Sequence, residues 1–229
     1  MRKLHELLDA KDPAWPIVAK WVAEATRHVE VLSPSSTRDD ALVQTQVTIR
    51  SPMGAVVHET GGILIDHGWL RFLGSGHPRL ERTLSSWNSE RSNGIYLVAD
   101  DAVGGFFAIN GGALGKDIKN VYYFAPDTLG WTPLSGGYSE LLQWALTGDL
   151  TRFYEGLRWP GWQKEVRSLA ADRCFFFAPP LWTKEGSVSA SHRGEVPVAE
   201  AWGVQMEFVA QLGQPTARTQ ETVRTPKAQ

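Results

Sequence analysis

The stretch from Asp100 to Trp131, DDAVGGFFAINGGALGKDIKNVYYFAPDTLGW, sets two glycine pairs against two aromatic runs and ends in an acidic turn. Paired glycines weaken a strand, yet they allow backbone shapes and close approaches that larger residues refuse. The aromatic runs therefore read as strands and the glycine pairs as their punctuation. GGFFAIN and NVYYFAP predict two neighbouring strands, and IYLVADD just upstream predicts a third.

The glycine-rich loop between them carries no phosphate chemistry. Gly111–Lys116 reads GGALGK, but a phosphate-binding loop needs glycine where Asn110 stands and Ser or Thr where Asp117 stands. Without that hydroxyl there is no magnesium ligand, and Asp117 would repel the phosphate. A glycine-rich β-turn accounts for the loop.

Other segments extend the pattern. Asp12-Pro13 predicts a helix start, and Val18, Trp21, Val22 and Ala25 then share one face of a helix running to about Arg27. A short strand follows at Val29–Leu32. Thr37 is placed to cap an element beginning RDDALVQ, which passes into the β-branched run Val43–Ile49. GAVVHET, GILID and GWLRFLG predict a three-strand meander, punctuated by Gly-Gly and by Asp66-His67-Gly68. A proline-broken loop at His77-Pro78 leads to a short helix near Glu81–Trp87.

The last third reads as helical. Tyr138, Leu141, Leu142 and Ala145 form one stripe, and Gly148 closes it. Asp149 caps a second helix with stripe Leu150, Phe153, Tyr154 and Leu157, and Trp162, Val166 and Leu169 mark a third. FFFAPPLW and VPVAEAW predict an extended arm before Val204–Leu212. From Gly213 the chain has no aromatic residue and many Thr, Gln and Pro, too little apolar surface to offset ordering entropy. The expectation is an α+β domain over residues 1–212 with a disordered polar tail, 213–229. Its centre is an antiparallel or mixed sheet of about six strands, with an N-terminal helix and a helical C-terminal third.

Charge narrows the function classes. Lys and Arg number 23 against 25 Asp and Glu, a net charge of −2, so no single-sign field recruits nucleic acid or an anionic membrane. The one cysteine, Cys174, lies in the apolar run CFFFA, which points to a reducing compartment. No uninterrupted apolar segment suits a signal peptide or a membrane span. A cytoplasmic protein is the expectation, with its oligomeric state left open and self-association a further possibility.

Catalytic motifs fail one by one. Gly74-Ser75-Gly76 is followed by His77-Pro78-Arg79, not by a helix start with a third glycine, and His5-Glu6 has Asp9 where a metalloprotease needs its second histidine. No glycine-flanked serine of the hydrolase-elbow type is present. Metal ligation by His67 with Asp66 is weaker than a solvated hairpin turn. Asp66, Asp100, Asp101 and Asp127 fall at strand ends or turns, where carboxylates usually accept backbone hydrogen bonds. No catalytic residue, cofactor or metal is expected.

Tryptophan is the compositional oddity, with 10 copies. Such rings fill cores, and they also concentrate binding energy at interfaces. Arg158-Trp159-Pro160-Gly161-Trp162 shows both options: a guanidinium stacked on indoles for recognition, or two indoles wedged at a helix corner while Arg158 pairs with a carboxylate.

The blocks SPMGAVVHETGGILIDHGWLRFLGSG, VADDAVGGFFAINGGALG, VYYFAPDTLGW, YSELLQWALTGDLTRFYEGLRWPGW and PPLWT resemble an uncharacterised bacterial family, domain-of-unknown-function family 2625, over roughly residues 1–210. That family lends no activity. GGFFAINGG, VYYFAPDT, the Trp131 turn and YSELLQWAL are also similar to the core of the SUKH superfamily, with Gly105, Phe106, Tyr122 and Trp144 corresponding best. The GAVVHETGGILIDHGW hairpin and the RWPGW segment find no place on that core. SUKH domains are α+β, and many are bacterial immunity proteins that bind toxins, so this resemblance implies a protein partner of that kind, by analogy of fold alone.

The leading expectation is a non-enzymatic binding protein, SUKH-like, that recognises another protein, a toxin being the implied case. Its contact residues would be Trp69, Trp87, Asn88, Asp100, Asp101, Asn110, Asp127, Trp131, Arg158, Trp159 and Trp162. The alternative is a small-molecule binder or a hydrolase-type enzyme with a carboxylate-lined pocket near Asp101 and Asp127. Asn110, Gly111 and Gly112 would border that pocket, and Arg71 or Arg158 would hold an anion.

Overall fold

The computed structural model describes residues 1–8 and 11–212, so the tail expected at 213–229 lies outside the described residues. Helices α1 (Leu4–Leu7) and α2 (Trp15–Ala23) precede strand β1 (Val29–Leu32), then α3 (Arg38–Thr45) and α4 (Pro52–Glu59). Strands β2 (Gly62–Ile65) and β3 (Leu70–Leu73) follow, then α5 (Leu84–Asn88), β4 (Ile95–Asp101), β5 (Phe106–Asn110), β6 (Val121–Ala125) and β7 (Gly130–Pro133). The remainder comprises α6 (Tyr138–Thr147), α7 (Leu150–Phe153), α8 (Trp162–Ser168), β8 (Arg173–Ala178), β9 (His192–Pro197) and α9 (Val198–Leu212).

Strands β1 to β7 form one sheet in sequence order, every neighbouring pair antiparallel, and β8 with β9 makes a separate hairpin. Residues directly opposite in such a ladder share a face. One row reads Ile63, Phe72, Ala99, Phe107 and Tyr123; the adjacent row, facing the other way, reads Leu64, Arg71, Asp100, Phe106, Phe124 and Trp131. The first row meets α6 and α7, with Phe72 edge-on to Tyr138 at 5.9 Å and Phe107 stacked on Phe153 at 6.1 Å. The second meets α5 and α9 through Trp87 and Trp202, whose rings lie 6.4 and 4.9 Å from Phe106. Because both faces are covered, β2 and β6 are buried at every position and read as unbroken apolar runs.

The α+β class and the aromatic strands stand as read from the sequence, and several elements differ. The sheet has seven strands: GAVVHET drops out of the six expected, while Val29–Leu32 joins as β1 and Gly130–Pro133 adds β7. GAVVHET is helical. The Ser51 hydroxyl accepts the Gly54 N–H at 3.1 Å and Pro52 fills the first turn, so a capped start overrides the β-branched residues. Gly54 also lets this helix seat on the chain before it, since a Cβ there would lie 2.0 Å from the Thr48 carbonyl oxygen.

The run Val43–Ile49 is no strand either. Helix α3 continues to Thr45 and stops where Gln46 turns left-handed, φ 59°. Helix α2 starts at Trp15 with Pro16, not Pro13, in its first turn. The expected extended arm is a hairpin and a helix: RCFFFA pairs with the polar strand HRGEVP, and Val198 already begins α9. The C-terminal third is therefore only partly helical.

One buried ion network ties that third to the sheet. Arg71 is 1% exposed and Asp100 fully buried, and the two are cross-strand neighbours with Nε and Oδ1 2.9 Å apart, an ion pair angled away from a full hydrogen bond. Arg71 also donates to the carbonyls of Ala171, at 3.1 Å, of Arg173 and of Asp101. Arg82 donates to the other Asp100 oxygen at 2.7 Å, to Asp172 at 2.6 Å and to the Ala171 carbonyl at 3.0 Å. Burial works against the Arg82 charge, but Asp100 and Asp172 outweigh it and raise its pKa.

Removing one member of a buried pair leaves the other charge uncompensated. Arg71→Met is therefore expected to lower the unfolding free energy by about 3–5 kcal/mol, read from the urea midpoint. An unchanged midpoint would show that Arg82 alone satisfies Asp100.

Candidate functional site

Consecutive residues of a strand point to opposite faces, and this separates the two adjacent carboxylates. Asp100 enters the arginine network. Asp101 faces the other layer, where Oδ1 accepts the Val103 and Gly105 N–H groups at 3.0 and 2.7 Å and Oδ2 accepts the Tyr123 hydroxyl at 2.8 Å. The glycine pair exists for this contact: a Cβ on Gly105 would lie 2.3 Å from Asp101 Oδ2 and 2.4 Å from the Tyr123 hydroxyl. Burial pushes the Asp101 carboxyl up, and burial next to Asp101 pushes Tyr123 and Tyr154 well up, so both phenols keep their protons.

The remaining candidates divide by what holds them. Asn88 is buried and fastens α5 to β4, giving its amide to the carbonyls of Leu84 and Leu97 and accepting the Leu97 N–H at 2.8 Å. Asn110 is buried too and shapes the loop after β5, accepting the N–H groups of Gly112 at 2.7 Å and Leu114 at 3.1 Å, while Gly111 and Gly112 lie exposed. Trp87 is buried between the guanidiniums of Arg82 and Arg91, 4.8 and 4.2 Å from its ring. Trp131 packs half-buried on Phe124 at 5.3 Å, and Asp127 is half-buried in the turn between β6 and β7.

Trp69, Arg158, Trp159 and Trp162 do come together. The Arg158 guanidinium lies 4.1 Å from the Trp162 ring, 4.7 Å from Trp69 and 5.1 Å from Tyr154, and pairs with Asp66 at 2.7 Å. The packing reading of the RWPGW cluster is the one seen: Trp69, Trp159 and Trp162 are buried, the last two wedging the corner between α7 and α8, and Arg158 stacks on Trp69 and Trp162 while bound to the Asp66 carboxylate. Trp159 donates to Glu165 at 2.8 Å, and Arg193 grips the same carboxylate with two N–H groups while lying 4.4 Å above the Trp159 ring.

Around this platform stand side chains that sequence reading did not gather. His67 stacks on His28 at 4.9 Å, and Arg167 donates to His67 Nδ1 at 3.1 Å. Burial, then Arg167 and His28, holds His67 below its ordinary pKa, which leaves the ring free to accept that bond. Arg27 donates to the Leu146 carbonyl at 3.1 Å at the end of α6 and feels the charges of Asp66 and Arg158. His28 and Arg167 are exposed. The DHG turn is 92 residues from Arg158, so only the fold reveals the grouping. Among the described residues no group of three or more His, Cys, Asp or Glu is placed to hold a metal, and no helix is long and apolar enough to cross a membrane.

Residues 4–201 match the family model described as protein of unknown function DUF2625. The chain belongs to that family. One similar relative is the uncharacterised protein YbfG of Escherichia coli (strain K12), 47% identical over 212 residues that cover 91% of this chain and 97% of the relative. An uncharacterised Haemophilus influenzae protein is 42% identical over 189 residues, covering 79% of this chain and 83% of that one. No solved structure matches the DUF2625 chain significantly.

The buried carboxyl gives a pH test. Asp101 binds its proton more tightly folded than unfolded, where it ionises near 3.8, so it makes stability fall as pH rises from about 4 through the raised folded value. Asp101→Asn keeps an oxygen for the two N–H groups and an amide for Tyr123 while removing the titration. Urea midpoints across this range are expected to show the substituted protein gaining on the parent as pH rises. A constant difference would show that Asp101 does not titrate in that window.

Proposed function

We propose that this DUF2625 protein works by holding another protein, with the contact built around the Arg158 platform. The observation that carries the reading is how the charges are used. Asp100 and Asp101 are spent on internal partners. Around Asp66, Arg158 stacks on aromatic rings while paired with that carboxylate, and the exposed His28 and Arg167 stand at the rim against His67.

A guanidinium fixed over indoles loses little freedom on binding, and Arg and Trp dominate interface hot spots. The partner that fits presents an acidic face. A protein toxin is the partner class implied by the resemblance to SUKH immunity proteins. The hydrolase alternative, using Asp101 with Asp127, has less to support it, since both Asp101 oxygens are already occupied by two backbone N–H groups and a phenol.

The test pairs the protein with the products of neighbouring genes, by calorimetry and by rescue of growth when a toxic product is expressed. Arg167→Glu, a change at an exposed position, is expected to weaken the complex by at least about tenfold and to reduce its salt dependence. Arg158→Lys, which keeps charge but loses the flat stack, is expected to weaken it as well. A complex indifferent to both substitutions would move the contact elsewhere. Finding no partner and no rescue would remove the reading.

A further inference from the structure

We infer that the outer edge of β9 is the interface at which two copies of this chain meet, antiparallel about Gly194, so that each β8–β9 hairpin becomes half of a four-stranded sheet. Phe175 gives its N–H to the Ala102 carbonyl at 2.7 Å, so its backbone turns away from β9. Residues that stand opposite in an antiparallel ladder either both face each other or both turn away. Glu195 stands opposite Phe175 and Arg193 opposite Phe177 with no break in register, so the N–H and C=O groups of Arg193 and Glu195 point outward. Among the described residues none of these groups has a backbone partner. The Glu195 carbonyl alone is engaged, by the Arg173 guanidinium at 2.7 Å, and a carbonyl can accept twice.

Edge strands that carry charge usually turn a second strand away. In β9 the signs alternate, and a second copy matches them. Pairing centred on Gly194 sets Arg193 opposite Glu195 of the other copy and Glu195 opposite its Arg193, and each such couple exchanges two backbone hydrogen bonds. Within one chain Arg193 already binds Glu165 at 2.8 Å, and Glu195 lies 3.6 Å from Arg173. Across the joint the charges then run Arg173, Glu195, Arg193, Glu165, the first two from one copy and the last two from the other. Opposite charges on facing strands attract.

Gly194 points to the same centre. Glycine weakens a strand interior and often marks the close approach of another backbone. Nothing within the chain requires it here: its φ lies outside the left-handed region, and a Cβ would meet no atom within 4 Å. Gly194 is exposed and opposes its own copy in a non-hydrogen-bonded pair, where Cα atoms come within about 4.5 Å. The contact uses one strand of 6 residues per copy, well short of a standard interface, so the dimer is weak and reversible. It does not depend on a partner at the Arg158 platform.

Sedimentation equilibrium of the full chain, from micromolar to near-millimolar concentration, is expected to show monomer and dimer in exchange. Glu195→Pro removes an outward N–H while sparing the ladder to β8, and Glu195→Arg sets like charges opposite each other; each is expected to weaken the dimer at least about tenfold. Arg193→Glu alone is expected to do the same, whereas an equimolar mixture of the Arg193→Glu and Glu195→Arg proteins restores pairing, because opposite charges again face each other. Gly194→Cys reads the register: it is expected to give an oxidised dimer, since Cys174 is buried, while Glu90→Cys, at an exposed position elsewhere, is not. Circular dichroism checks folding; if Arg193→Glu is unfolded, the Glu195 variants and the cross-link carry the comparison. A chain that stays monomeric throughout, a dimer that neither Glu195 variant weakens, or a cross-link no stronger at position 194 than at 90 would overturn the assignment.

Discussion

The guanidinium of Arg71 is the point on which the two parts of this chain agree. It sits in the sheet beside Asp100, and its remaining N–H groups reach the carbonyls of residues 101, 171 and 173. A planar fork with five donors suits such a corner, which a lysine could not fill. The pair is expensive to bury, and what it provides is position: the entry to β8 is fixed against the sheet, and with it the hairpin and α9. The platform at the α7–α8 corner is held in turn through Arg193 and Glu165, which link β9 to α8.

The aromatic strands β4 to β6 and the glycine punctuation could be read directly, because a strand covered on both faces spells an unbroken apolar run. Elements decided by polar detail could not. Helix α4 hides in GAVVHET because one serine cap and one proline outweigh three β-branched or apolar neighbours, and β9 hides in HRGEVP because its pairing is through backbone while its side chains stay outside. The acidic pair shows the same limit within a single strand. Alternation alone says that Asp100 and Asp101 part company, but which layer each would meet depends on residues 172 and 123, far along the chain.

The candidate residues sort on the same principle. Arg158, Trp159 and Trp162 are adjacent in sequence and read as a cluster, whereas Trp69 joins them only in the fold. His28 and Arg167 carry no signal by themselves, since a lone histidine or arginine has many ordinary uses and only its neighbours in space define its role. Family membership supplies no activity here, so function has to be argued from what the side chains touch.

The seven-strand meander has a kinetic side. Each strand pairs with its sequence neighbour, so the sheet closes through local connections, the longest of which carry only α3 with α4 or α5. The Arg71 fork, however, waits for carbonyls that lie 100 and 102 residues further on. A chain emerging from the ribosome would therefore hold a nearly complete sheet with a half-satisfied buried cation until residue 173 arrives. The last third acts as the clasp that converts a locally ordered sheet into a closed molecule.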